Sequence, residues 1–278
     1  MYAKASISTG LLCLKKVRFL SIYISTTVRM RAVSANVSSS INIMIIENFC
    51  RISNDKVSFS RQQASDFAKQ IADDFNPLHD VDAKRFCVPG DLLFAVALAK
   101  SGLHQKMTFT FSGMVSNDIE LNFPQTIDEK FIIKDDNDKE YLDISVAGDK
   151  TDNKTLINSL VDAYVGFSGH TFPHLLGQLM AENKVMINPT RPMVMYESMS
   201  LELDCLDISD ITLTLSQTNL SLNGKRGSAC LEFDLLAAGK VIGHGKKHML
   251  LSGLREYCPQ TMDELSERYI NFKENYVA

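Results

Sequence analysis

No C-x-x-C pair occurs among the six cysteines, Cys13, Cys50, Cys87, Cys205, Cys230 and Cys258, which are scattered along all 278 residues. That absence excludes a zinc clamp or a dithiol redox motif and predicts reduced thiols in a reducing, cytoplasmic compartment. Long apolar runs are missing too. FLSIYIS (19–25) and INIMII (41–46) fall far short of the ~20 residues that a membrane-spanning helix needs, so no membrane span is predicted. The first 46 residues hold no acidic side chain, only Lys4, Lys15, Lys16, Arg18, Arg29 and Arg31. The formal net charge of −4 therefore hides an asymmetry: the rest of the chain carries 23 basic against 33 acidic residues, a charge of −10. An acidic body excludes a phosphate-tracking surface, and no nucleic-acid partner is expected.

What is present begins with a Ser-rich, basic leader. Its composition fits an organellar transit peptide, a disordered tail, or an extension upstream of the true start, with Met44 as a start for the folded protein. Residues 1–43 are accordingly expected to lie outside the fold as a disordered or non-native extension. With 45% hydrophobic residues, the remainder has ample material for a packed core.

Ser60 and Gln63 have capping-box spacing, and Ala64, Phe67, Ala68 and Ile71 follow at helical intervals, which predicts a helix over 60–72 with one buried face. After it, VPGDLLFAVALAKSG (88–102) sets Pro89 and Gly90 before a run that is apolar on every side, the mark of a buried helix over 91–101. From Met107 the pattern becomes a succession of short β-like runs, the last being TLINSLVDAYVGF (155–167). Strand following strand without helices between them implies an antiparallel sheet. SGHTFPHLLGQLMAEN (168–183) then repeats the Gly/Pro-plus-helix order, with the helix over 173–182. Four more strands follow, two of them joined by Asn223-Gly224, a strong hairpin signal. The expectation is a duplicated α+β unit, at 44–165 and 166–255, closed by a surface helix over 256–278.

Between the first two helices lies IADDFNPLHD (71–80). Pro77 forbids a helical conformation at Asn76, so Asp74 and His79 fall on one forced turn. The plain reading is a helix-capping Asp and a surface His. The other is an acid/base pair converging on one water.

The string Asp74-Phe75-Asn76-Pro77-Leu78-His79 resembles the G-D-x-N-P-hydrophobic-H motif of the hotdog-fold (R)-specific enoyl-CoA hydratases, the MaoC-like family; the leading Gly is Asp73 here. FPQTIDEKF, with Pro124 and Asp128, is similar to that family's entry into a strand, so the resemblance spans roughly 57–135. Residues 44–278 also resemble a bacterial family that shares the run FNPLHDVDAKRFCVPGDLLF. The hydratase resemblance implies a double hotdog, two units each with a central helix wrapped by a curved antiparallel sheet. It implies Asp74 and His79 as the catalytic pair, supported by Asn76 and Pro77, with the backbone N–H groups of Gly90 and Asp91 as oxyanion donors to a thioester. Departures occur at Asp73, at Pro89 in place of a His, and in the short 79–90 interval. The implied substrate is an acyl-CoA or acyl carrier protein thioester, without cofactor, and the implied assembly is a homodimer.

Other constellations are weaker. The pairs His170/His174 and His244/His248 lack the Glu of H-E-x-x-H, and no metal is expected. Gly166-Phe-Ser168-Gly169 stops short of a nucleophile elbow because position 170 is His. DDNDK (135–139) reads as a solvated turn. Two functions stand: an enoyl-thioester hydratase or dehydratase, and a non-catalytic acyl-thioester-binding or regulatory protein.

Overall fold

The computed structural model describes residues 46–124 and 128–276. The expected N-terminal extension thus lies outside the described residues.

Capping at Ser60 follows the box spacing: its hydroxyl accepts the Gln63 N–H at 3.1 Å while the Gln63 side chain accepts the Ser60 N–H at 3.1 Å. Helix α1 (Arg61–Asp66) begins there and widens into a π turn over Phe67–Ile71. Helix α2 is Gly90–Ser101, buried at every position from Asp91 to Leu98, as a helix apolar all round must be. Among the described residues twelve strands accompany the helices. β1 (Arg51–Ser53) and β2 (Lys56–Ser58) precede α1, and β3 (Leu103–Phe111), β4 (Leu121–Asn122), β5 (Lys130–Lys134) and β6 (Glu140–Thr151) follow α2. In the second half come β7 (Val185–Met186), β8 (Val194–Leu203), β9 (Thr212–Asn223), β10 (Arg226–Ala237), β11 (Lys240–Ser252) and β12 (Arg255–Glu256).

One expected strand is absent. TLINSLVDAYVGF is not a strand but most of helix α3 (Lys154–Gly169). Its buried positions Leu156, Leu160, Val161, Tyr164, Val165 and Ser168 recur at helical spacing, and the Asn153 side chain caps it by accepting the N–H groups of Thr155 and Leu156. Its β-branched and aromatic residues imitate a strand, but the cap and the period prevail. The expected unit boundary at 165/166 falls inside this helix. The helix foreseen over 173–182 is shorter, with a π turn at Thr171–Leu175 before α4 (Leu176–Glu182). Helix α5 (Pro259–Glu274) closes the described chain.

Ten strands form one antiparallel sheet in the order β1-β2-β4-β5-β6-β3-β8-β11-β10-β9, while β7 and β12 pair separately. The order has an internal symmetry about the β3–β8 junction. On each side the first long strand after the helices lies innermost, then the last strand, then the two between in reverse. The junction is antiparallel, with Lys106 opposite Glu202 and Thr110 opposite Ser198. Helices α2 and α3 pack against each other beneath it, with Phe94 meeting Phe109 and Tyr164 at ring separations of 5.1 and 4.9 Å. A second core under β10 and β11 gathers α4 and the α5 residues Met262 and Leu265.

Candidate functional site

The motif loop starts where α1 stops. The Ala72 N–H bonds to the Phe67 carbonyl at 3.0 Å and the Asp74 N–H to the Ala68 carbonyl at 2.8 Å. Between them Asp73 takes a left-handed φ of 54°, so the reversal occurs three residues before Asn76 rather than at Pro77 as the sequence suggested. Pro77 instead begins a single 3-10 turn, Pro77–His79, which Asn76 caps by accepting the Leu78 N–H at 3.1 Å. Gly169, at the end of α3, fixes the loop from outside. A Cβ there would lie 1.6 Å from the Ala72 carbonyl oxygen, so only glycine permits this approach.

Asp74 and His79 do converge. Asp74 Oδ1 accepts the Asn76 N–H at 2.9 Å, and its Oδ2 lies 3.7 Å from His79 Nε2. His79 Nδ1 lies 2.7 Å from the Cys87 carbonyl oxygen, which can only accept, so Nδ1 carries a proton. In the neutral imidazole Nε2 is then an acceptor facing a carboxylate oxygen, also an acceptor, across a gap too long for a direct hydrogen bond. Only a group that donates two hydrogens, as water does, could satisfy both acceptors at once. The histidine side chain is 11% exposed and the carboxylate 26%.

The start of α2 lies against aromatic rings. A Cβ on Gly90 would sit 2.6 Å from Tyr196 and 3.3 Å from Phe111. The first N–H groups of a helix have no intrahelical partner and carry the positive end of its dipole, which suits a developing oxyanion. Asp91 enters the site in a way the sequence did not suggest, through its side chain. Buried Asp91 accepts the Ser168 hydroxyl at 2.6 Å, and buried Lys247 donates to the same hydroxyl oxygen. The Lys247 ammonium also lies 4.6 Å from the centre of the Tyr196 ring, and Tyr196 shares a hydroxyl–hydroxyl bond with Tyr164. Burial pushes the Asp91 carboxyl up; Lys247 and the Ser168 hydrogen bond oppose it, Asp74 adds to it, and His79 opposes it. Lys247 is lowered by burial, against the raising effect of Asp91 and Asp74. Both tyrosines are held well above the usual phenol value, first by burial. Sequence reasoning missed Lys247, although a signal existed: in β11 it shares the inward parity of Gly243, Gly245, Met249 and Leu251, where an ammonium is out of place.

Helix α5 covers the loop. The Tyr269 oxygen accepts the Phe75 N–H at 3.0 Å, Phe272 and Tyr276 meet Phe75 edge-on, and Lys273 pairs with Asp73. Asp73 also lies 3.0 Å from His170, so it is engaged on the side of α3 and α5.

The remaining motifs are structural. His244 pairs with Asp234 at 2.9 Å, and the 135–139 turn is tied by Asp135 to the N–H groups of Asn137 and Lys139. Among the described residues no group of three or more His, Cys, Asp or Glu side chains is placed to hold a metal ion, and no helix is long and apolar enough to cross a membrane. Two clefts of about 520 and 310 Å³ lie elsewhere, the first beside Gln105 and Asp204, the second between α4 and α5; neither is lined by Asp74, His79 or Asp91.

Residues 44–260 match the family described as protein of unknown function (DUF3581). The chain belongs to that family. The MaoC-like hydratase family expected from the motif is not the one matched: the likeness stays local, and the departures at Asp73 and Pro89 fall inside it. A search of the curated proteins finds none that matches. Among solved structures, the chain is similar to the tesB protein of Mycobacterium avium subs paratuberculosis, at 9% identity and a TM-score of 0.37 over 59% of this chain and 87% of that one. It is also similar to the acyl-CoA thioesterase II TesB2 from Mycobacterium marinum, at 9% identity and a TM-score of 0.39 over 76% of this chain and 98% of that one.

Proposed function

We propose that this protein is a double hotdog that directs one activated water at an acyl thioester carried on coenzyme A or acyl carrier protein. The strand order, repeated on both sides of the β3–β8 junction around the packed helices α2 and α3, supports the double-hotdog reading. The observation that carries the chemistry is the 3.7 Å separation of His79 Nε2 and Asp74 Oδ2, two acceptors that face each other while the Asn76 N–H holds the carboxylate and the Cys87 carbonyl holds the imidazole. One group takes a proton from the bridging water, and the other orients it or returns a proton to the product. The N-terminus of α2, at Gly90 and Asp91, supplies the field for charge gathering on the thioester oxygen.

The motif favours addition of that water to a trans-2-enoyl thioester, or the reverse dehydration. The same water aimed at the carbonyl carbon would hydrolyse the thioester. Purified protein incubated with crotonyl-CoA and longer enoyl-CoA esters, followed by loss of enoyl absorbance, reads the first; thiol release from saturated acyl-CoA reads the second. Activity in neither assay overturns the enzymatic reading.

A non-catalytic, acyl-thioester-binding role is favoured by one observation, the cover that α5 places over the motif loop, with neither cleft reaching the pair. Binding of acyl-CoA without turnover would establish it.

A further inference from the structure

Three buried polar groups from separate elements meet beside the motif: Asp91 on α2, Ser168 on α3 and Lys247 on β11, exposed by 7%, 5% and 5%. The hydrogen-bond directions are fixed by chemistry. The ammonium can only donate, so Lys247 donates to Ser168 Oγ, and the hydroxyl passes its own hydrogen to Asp91 Oδ2. The result is an ion pair relayed through a hydroxyl. Asp91 keeps one oxygen in reserve: among the described residues its Oδ1 is buried without a hydrogen-bond partner. A buried carboxylate oxygen left bare is costly in a site that serves only stability. Asp91 feels Asp74 and His79 electrostatically, and Lys247 feels Asp74, while the Lys247 ammonium packs on the Tyr196 ring, which bonds in turn to Tyr164.

We propose that Lys247 and Ser168 are positioning residues that hold Asp91 as a charged third member of the Asp74–His79 site, so that the site is built by both halves of the chain. The sequence alone assigned the chemistry to the first half. The relay instead has the second half orient a carboxylate at the start of α2, with Oδ1 free to receive a hydrogen from substrate or from the attacking water.

The kinetic arm of the test rests on the acyl-thioester reading, and a second arm needs no substrate. The full chain is prepared as wild type, K247M, K247R and S168A, and the Asp91 carboxyl is titrated by carbon NMR, its signal assigned by its loss in D91N. Losing the buried counter-charge should move the Asp91 midpoint upward by more than about one pH unit in K247M, by less in S168A, and little in K247R. On a substrate that the wild type turns over, kcat should fall about 10- to 100-fold in K247M, as expected for a misplaced reacting group. KM should change far less, and K247R should recover most of the loss. An Asp91 midpoint unmoved in both K247M and S168A overturns the proposal. So does a K247M enzyme with wild-type kcat. If no thioester is turned over by the wild type, the proposed function fails by itself, and the titration still decides whether the relay holds Asp91. If K247M does not fold, S168A and K247R carry both arms.

Discussion

The phenolic oxygen of Tyr269 accepts the backbone N–H of Phe75 at 3.0 Å, which ties the last helix to the middle of the motif loop. Burial, with the charge of Asp74 beside it, pushes the Tyr269 phenol above its ordinary range. Tyr269→Phe keeps the ring and strips the acceptor from a part-buried N–H. The expected loss is about 1–3 kcal/mol, the usual cost of an unsatisfied buried donor, read as a lower urea midpoint with an unchanged m-value. An unchanged midpoint would mean that another acceptor replaces the phenol at no cost.

Asp74→Asn should keep the Asn76 N–H contact through its amide oxygen and lose the base. A fall of ~10²–10⁴ in kcat is expected for Asp74→Asn, and a similar one for His79→Ala. The double variant should be little worse than either single one, because groups that act as a unit are non-additive. Steady-state kinetics on the same thioester decides; full activity in Asp74→Asn rejects the pair.

Burial raises Asp91 and lowers Lys247. A carboxyl with a raised folded value contributes stability below its unfolded value of about 4, and loses it as pH rises through the folded one. A lysine with a lowered folded value contributes above its ordinary value of about 10.4, and loses it as pH falls through the folded one. Between those limits the two buried charges depend on each other. K247M should therefore cost most near pH 8, about 3–5 kcal/mol, the range for breaking a buried pair. It should cost least near pH 4, where Asp91 approaches protonation. Urea unfolding of variant and wild type at both pH values checks this, and an equal difference at each would reject it.

Gly169→Ala puts a methyl 1.6 Å from the Ala72 carbonyl oxygen, a backbone atom that cannot rotate away. The helix end and the loop must separate. A loss above the ordinary overpacking cost of about 1–3 kcal/mol is expected, together with reduced activity, since Ala72 leads directly into Asp74. Thermal melting and the thioester assay read both.

Most of the sheet was legible because its signals are local. Asn223-Gly224 does join β9 to β10, and Ser60 with Gln63 does begin a helix. Asp74 and His79 were legible for the same reason, being five positions apart on one turn. Helix α3 was not, since Ile157, Val161, Tyr164, Val165 and Phe167 have strand propensity, and only the period of the buried side and the Asn153 cap contradict it. The Asp91–Ser168–Lys247 relay could not be read as a unit: its members stand 77 and 79 positions apart, and each looks ordinary until the sheet places them together.

The β3–β8 junction is expected to form late in assembly. Lys106 and Glu202 become neighbours across the sheet although about a hundred residues separate them in the chain. The entropy of closing so long a loop is lost before any hydrogen bond of the junction can form. Each half can collect its own hairpins early, so joining them is expected to be the slower event. If the chain were cut between α3 and β8, that event would become a bimolecular encounter, and the rate of folding would depend on concentration.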